Sequence, residues 1–214
     1  MGDRECVVLV HGLWVHAVGM VLMRRRVARG GYRALSYSYP SMRLTLAQNA
    51  ERLARFCRDL TAARLHFVGH SLGGLIVLRM LEHAAGIGTG RIVLIGTPVA
   101  GSLAARRLAR LPGGRAALGR SMAEWLESSQ PFSDVGRDIG VIAGRLPVGL
   151  GRIVAPDLPG PSDGAVSLAE TRLPAMRDHI VLNVSHSGML VSRAVAHQIC
   201  VFLRNGAFEH RDEG

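Results

Sequence analysis

Residues 65–78 read LHFVGHSLGGLIVL, and this stretch decides the fold. Residues 65–68 suit a buried strand, and the apolar run that begins at Leu75 suits a buried helix. Between them lies the pattern Gly-x-Ser-x-Gly, with Ser71 at its centre. The two glycines are needed because a side chain at either position would collide with the neighbouring strand or helix. The pattern therefore predicts a sharp strand–turn–helix that holds the Ser71 hydroxyl outward at a helix N-terminus.

Strand-like and helix-like segments alternate along most of the chain. Runs typical of buried strands cover residues 6–10, 32–39, 65–68, 91–95, 139–143 and 179–184. The alternation predicts βαβ units with right-handed crossovers, and so an α/β fold with a mostly parallel sheet of about six strands and helices on both faces. In such a sheet we expect functional residues at the carboxyl ends of the strands.

The length and composition favour one domain over residues 1–214, since 214 residues with 48% apolar content can bury a single core. In the first helix we expect Val18, Val21 and Leu22 to face that core, with Val27 as a further candidate. Residues 102–132 interrupt the alternation with two short amphipathic segments, which we interpret as a short, partial cap. Residues 205–214 are polar and predict a frayed tail.

The chain is strongly basic, with 26 arginines, no lysine and a net charge of +10. Most of this charge is expected on a solvated surface, but the predicted cap holds a cluster that can attract an anionic lipid surface or an acidic substrate. The cluster comprises Arg106, Arg107, Arg110, Arg115 and Arg120. Nucleic-acid binding is disfavoured because no aromatic interleaving or nucleic-acid module accompanies the arginines.

The cysteines and the N-terminus favour a cytoplasmic protein. Cys6, Cys57 and Cys200 are an odd number at wide spacing, which is typical of reduced core residues. The N-terminal residues resemble no signal peptide, and no run of 18 apolar residues predicts a membrane span.

Five motifs, spread between about residue 6 and residue 204, occur in the order of a known family. They are His11-Gly12-Leu13-Trp14, Gly69-His70-Ser71-Leu72-Gly73-Gly74, Gly96-Thr97-Pro98, Ser162-Asp163-Gly164 and Ser185-His186-Ser187-Gly188. In these motifs the chain resembles the α/β-hydrolase fold, and within it the small bacterial lipases and carboxylesterases. The short length implies a reduced version of that fold.

The resemblance implies a catalytic triad, because a serine hydroxyl needs a base and the base needs an orienting group. Ser71 would be the nucleophile, His186 after the last strand the base, and Asp163 the acid. Asp157 and then Glu170 are the alternatives for the acid. An aspartate in such a turn can also serve only as a helix cap.

The same resemblance implies the remaining parts of the site. The backbone N–H groups of Leu13 and Leu72 would form the oxyanion hole. Trp14, Met189 and Leu190 flank the catalytic loops and would contact the substrate, although core packing is an equally good interpretation of Met189 and Leu190. The family chemistry requires no cofactor and no metal.

The function implied is hydrolysis of a small-molecule ester or lipid through an acyl-enzyme. An acyltransferase, thioesterase or amidase would use the same triad, and a hydrolase-like scaffold that only binds ligands is a further alternative. The oligomeric state is left open by the sequence.

Overall fold

The architecture comes from a computed structural model, which describes residues 5–84, 86–88, 90–128, 132, 135–149 and 151–210. Parts of three sequence-based predictions lie outside these described residues: the first four residues of the predicted domain, residues 129–131 of the predicted cap and residues 211–214 of the predicted tail. Residues 205–210 differ from the expected frayed tail, because Phe208 is buried and the backbone N–H of Glu209 donates to the side chain of Gln198.

One sheet of six strands runs through the described residues. The strands are β1 (Cys6–Val10), β2 (Arg33–Tyr37), β3 (Leu65–His70), β4 (Ile92–Ile95), β5 (Ile139–Gly144) and β6 (Asp178–Leu182). Their order is β2-β1-β3-β4-β5-β6, and each neighbouring pair is parallel. After β1 the next strand, β2, is added on one side, and after β3 the next strand, β4, is added on the other side. The direction in which strands are added therefore reverses between β1 and β3. A crevice for ligands is expected at that point, outside the carboxyl ends of the strands.

Helices connect the strands and cover the sheet. They are α1 (Val21–Arg29), α2 (Leu46–Arg58), α3 (Leu72–His83), α4 (Leu103–Arg110), α5 (Gly114–Glu127), α6 (Gly151–Val154) and α7 (Arg193–Asn205). Short 3₁₀ helices cover Ala17–Met20, Ala169–Thr171 and Gly188–Val191. None of the helices in the described ranges has the length and apolar character needed to cross a bilayer.

Two apolar cores lie on opposite faces of the sheet, because alternate residues of a strand point to opposite sides. In β1, Val8 joins the core formed with α2 and α3, whereas Val7 joins the core formed with α1 and α7. The predicted sheet with helices on both faces is therefore confirmed.

The first helix differs from the expectation. Val18 and Leu22 are exposed, so their predicted core positions are wrong, and Val21 is only half-buried. Val27 is buried as predicted, and Met20 and Met23 are the other buried residues of the segment. The reason is that the segment begins as a 3₁₀ helix and becomes α-helical only at residue 21, which changes the face turned towards the sheet.

All three cysteines carry free thiols, and burial raises the pKa of each one. Cys6 and Cys57 are buried as expected, and the pKa of Cys57 rises to about 12. Cys200 is only half-buried, in contrast to its predicted core position, because it lies at the edge of a groove between α1 and α7.

Candidate active site

Ser71 lies at the tight turn between β3 and α3, in a backbone conformation that side chains rarely adopt. Its φ is +52° and its ψ is −124°. Such strain persists only where the surroundings enforce it. A Cβ at Gly69 would overlap the backbone of Gly74, and one at Gly73 would overlap the backbone of β1. The two glycines of the Gly-x-Ser-x-Gly pattern thus allow β1, β3 and α3 to approach closely at the predicted turn.

The N-terminus of α3 begins directly after Ser71, with Leu72 as its first residue. The first amides of a helix have no partner within the helix, and the helix dipole favours a negative charge near them. The Ser71 side chain forms no capping hydrogen bond to α3.

Asp163 and His186 form a hydrogen-bonded pair. Nδ1 of His186 lies 2.7 Å from Oδ2 of Asp163, and the backbone N–H of His186 donates to the backbone oxygen of Asp163 at 2.8 Å. Asp163 is 1% exposed, whereas the side chain of His186 remains 17% exposed. A buried carboxylate at Nδ1 favours the tautomer with the proton on that nitrogen. Nε2 is then the basic nitrogen, able to accept a proton.

The carboxylate of Asp163 is held in place by its own turn. Its second oxygen, Oδ1, accepts hydrogen bonds from the backbone N–H groups of Ala165 at 2.9 Å and Val166 at 2.8 Å. Three hydrogen bonds therefore compensate for the burial of this charge and fix its direction towards His186.

The two alternative carboxylates have other partners. Asp157 forms a two-point ion pair with Arg107 at the surface, with 2.8 Å between Nη2 and Oδ2. Glu170 accepts from the backbone N–H groups of Leu103 at 2.5 Å and Ser167 at 2.8 Å, so it ties the start of α4 to the loop before β6. Of the three candidate acids, the structure brings only Asp163 to His186.

Gly96, at the end of β4, makes room for the Asp163–His186 pair. Its φ is +56°, and a Cβ there would lie 3.0 Å from Oδ2 of Asp163 and 3.1 Å from Nδ1 of His186. Any side chain would press against both groups. The sequence motif at residues 96–98 pointed to this position but not to its role.

His70 is a site residue that the sequence analysis did not single out. Its ring is buried, with its centroid 4.7 Å from that of His186, and Nε2 donates to the backbone carbonyl of His186 at 3.1 Å. Burial, with the nearby His186 as a second cause, lowers the pKa of His70 to about 3. His70 is therefore a neutral group that holds the backbone of His186.

The loop after β1 is fixed above Ser71. Tyr39 donates its hydroxyl proton to the backbone oxygen of His11 at 2.7 Å, and its ring stacks on the His11 ring with 4.3 Å between centroids. A Cβ at Gly12 would lie 3.0 Å from Cβ of Ser71. Since Leu13 follows directly, the loop carries its backbone N–H into the neighbourhood of the serine.

A cavity of about 310 Å³ connects these groups. Ser71 and His186 both lie on its wall, together with Leu13 and Trp14. The rest of the wall is mainly apolar, and part of it comes from the predicted cap. These residues are Ala104, Ala105 and Leu108 of α4 and Leu118 and Met122 of α5. Residues of the predicted cap thus line the same cavity as Ser71 and His186.

Two expected substrate contacts lie elsewhere. Met189 and Leu190 are buried in the core that includes α1 and α7, and they are not on the cavity wall that the described residues form. The 3₁₀ helix Gly188–Val191 turns them inward, beneath the catalytic loops. The core interpretation of these two residues therefore fits the structure.

Trp14 joins the loop after β1 to the cap. Its backbone is left-handed, with φ +58°, and its Nε1 donates to the carbonyl of Ala117 in α5 at 2.8 Å. Two residues later, Gly119 interrupts α5 with φ +69° and ψ 174°. Arg120 then donates its N–H to the carbonyl of Met42 at 3.1 Å. The kink in the cap is thus fixed from both sides.

Within the ranges that the structure describes, no group of three or more His, Cys, Asp or Glu side chains is arranged to hold a metal ion.

A model of the alpha/beta hydrolase family matches residues 7–198. No protein with a curated functional description matches the chain by sequence.

Solved structures share the fold at low identity. The mature form of the Bacillus licheniformis lipase BlEst2 superposes with a TM-score of 0.73 and 20% identity, over 95% of this chain and 92% of its own. The metagenomic carboxyl esterase MGS0156 gives 0.64 and 21%, over 86% of this chain and 64% of its own. The thioesterase domain NocB of a nocardicin cluster gives 0.56 and 18%, over 93% and 92%.

Proposed function

This chain belongs to the alpha/beta hydrolase family, and we propose that it hydrolyses carboxylic esters through an acyl-enzyme formed on Ser71. One observation carries the proposal. A strained serine and a histidine that is hydrogen-bonded to a buried aspartate lie on the wall of one apolar cavity. The lipase and the esterase described above share this fold, and both are named for the hydrolysis of carboxylic esters.

In the first step, Oγ of Ser71 attacks the ester carbonyl carbon while Nε2 of His186 takes the hydroxyl proton. The carbonyl π electrons move to the oxygen, and the backbone N–H groups of Leu13 and Leu72 stabilise the oxyanion. Asp163 keeps the proton on Nδ1 and stabilises the imidazolium that forms.

In the second step, the C–O bond to the alcohol breaks and His186 returns its proton to the leaving alkoxide. Water then attacks the acyl-enzyme, His186 takes a proton from it, and collapse of the second intermediate releases the acid and regenerates the Ser71 hydroxyl.

The cavity indicates the kind of ester. Its wall beyond Ser71 and His186 is formed mainly by small and medium apolar side chains, so it suits an apolar acyl chain. The small side chains of Ala104 and Ala105 leave the cavity wide beside α4, whereas the larger side chains of Leu118 and Met122 bound it beside α5. We therefore propose esters with an uncharged aliphatic acyl group as substrates.

The experiment measures the hydrolysis of p-nitrophenyl esters by the wild type, by Ser71→Ala and by the matched control Ser38→Ala. Ser38 is exposed and lies far from Ser71 in the sequence. Ser71→Ala should lower kcat by about 10⁴- to 10⁶-fold. The control should keep full activity. Ser71→Ala protein that retains more than about a thousandth of the rate would assign the reaction to another group.

Two further measurements separate the alternatives. Covalent labelling of Ser71 by a fluorophosphonate distinguishes a working nucleophile from a scaffold that only binds ligands. Competition between water and an added alcohol, thiol or amine for the acyl-enzyme distinguishes hydrolysis from acyl transfer. Preferential formation of the transfer product in dilute aqueous acceptor would overturn hydrolysis as the main reaction.

A further inference from the structure

The groove between α1 and α7 is lined by guanidinium groups. Five arginines contribute to it: Arg25, Arg26 and Arg29 from α1, and Arg193 and Arg204 from α7. The one carboxylate among the described lining residues is Glu209, and it lies 2.8 Å from Nε2 of His197. The groove therefore carries a large positive excess.

These five arginines form no ion pair within the part of the chain that the structure describes. The arginine cluster predicted in the cap differs, because Arg107 pairs with Asp157 and Arg115 pairs with Glu127. Carboxylates of the chain itself thus offset part of the charge on the cap. Five guanidinium groups that have no ion pair among the described residues therefore line the single groove between α1 and α7.

Exposed apolar side chains lie beside these arginines. Val18 is 79% exposed, Val191 is 52% exposed and Leu22 is 45% exposed. Leu22 lines the groove, and Val18 precedes it by about one helical turn. Val191 lies against α1, since Nη1 of Arg26 donates to its carbonyl. We call these three residues and the five arginines the docking face.

We propose that the docking face binds the surface of an anionic lipid bilayer. A soluble polyanion would satisfy the arginines but leave the three apolar side chains in water. A bilayer satisfies both, with phosphates at the level of the guanidinium groups and an apolar region beneath them. Arg193 and Arg204 are separated by most of α7, about 16 Å, so the row suits several headgroups better than one small anion.

One end of the docking face is close in sequence to residues that line the cavity. Leu13, Trp14 and Val15 line the cavity, and Val18 follows within a few residues. The inference does not depend on the proposed function, because binding is measured without turnover and Ser71→Ala protein should bind equally well.

The test is co-sedimentation of the full chain with vesicles of phosphatidylcholine, alone or with about one-third phosphatidylglycerol. We expect binding to the anionic vesicles, weakening as salt is raised, and little binding to the neutral ones. Equal binding to both vesicles, or binding of inorganic polyphosphate without binding of vesicles, would overturn the proposal.

Variants locate the face. Arg25→Glu with Arg29→Glu should weaken partitioning into anionic vesicles by about a hundredfold or more. The matched control is Arg55→Glu with Arg58→Glu on α2, which changes the charge equally on the opposite side of the sheet and should reduce binding by less than about threefold. Equal losses in the two pairs would mean attraction by net charge alone.

A second variant tests the apolar part of the docking face with a substitution that should leave the fold intact. Val18→Asp changes a side chain that is almost fully exposed, so the fold should tolerate it. It should weaken vesicle binding at least about tenfold and leave hydrolysis of a soluble ester unchanged. Full vesicle binding by this variant would show that the apolar side chains of the docking face do not contribute to binding, and would overturn the proposal of a bilayer.

Discussion

The imidazole of His70 donates a hydrogen bond from Nε2 to the backbone carbonyl of His186 at 3.1 Å. The residue beside the candidate nucleophile thus holds the loop that carries the candidate base. Because a carbonyl can only accept, the proton of His70 is on Nε2, and its buried Nδ1 has no hydrogen-bond partner among the described residues.

We predict that His70→Leu lowers kcat for soluble esters by about tenfold or more, because the carbonyl of His186 loses its donor and the base moves. KM should change little. His70→Gln restores a donor at a similar distance and should recover most of kcat. Steady-state kinetics check this, and full activity of the leucine variant would show that the bond positions nothing.

The same residue should make folding sensitive to acid. Its folded pKa of about 3 lies below the usual value of 6.5, so only the unfolded chain takes up this proton between those limits. The stabilisation is complete above pH 6.5 and falls by about 1.4 kcal/mol for each pH unit below it. Urea unfolding at several pH values should show a shallower decline for His70→Gln, and identical slopes would refute the assignment.

We predict that Asp163→Asn lowers kcat by about 10⁴-fold, because the amide favours the wrong tautomer of His186. Asp157→Asn serves as the matched change. It breaks only the exposed ion pair with Arg107 and should keep kcat within about twofold. Ester hydrolysis by the two purified variants measures both values, and the opposite ranking would reassign the acid.

Gly96→Ala tests whether the space beside the Asp163–His186 pair matters. The variant should lose about 1–2 kcal/mol of stability through its left-handed backbone and should also lose most of its activity through the new Cβ. Gly160→Ala is the control, since it has φ +69° and open space around its Cβ. It should lose similar stability, measured by thermal unfolding, and no activity.

The sequence predicted those parts of the molecule that short local patterns determine. The buried strands appear as continuous apolar runs, and the turn at Ser71 follows from its glycines. The family motifs pointed to Asp163 and His186, whose side chains are hydrogen-bonded in the structure. Each of these depends on residues close together in the chain, which is why a pattern can reveal them.

Other features depend on neighbours that are distant in sequence. The role of His70 arises from a residue 116 positions away, and no local signal encodes that proximity. Helical periodicity at 3.6 residues misplaced Val18 and Leu22 because the segment starts as a tighter helix. Met189 and Leu190 share their apolar character with pocket residues, so only the direction of their short helix separates the two roles.

The hydrogen bond from Trp14 to Ala117 has a mechanical consequence. An acyl group large enough to push α5 outward would break this bond and free the indole, and with it the strained residue that follows Leu13. Under the proposed mechanism, bulky acyl groups would then loosen the backbone of Leu13, whose N–H is the proposed oxyanion donor. Turnover would therefore fall as the acyl group becomes wider, even where the substrate still fits and binds.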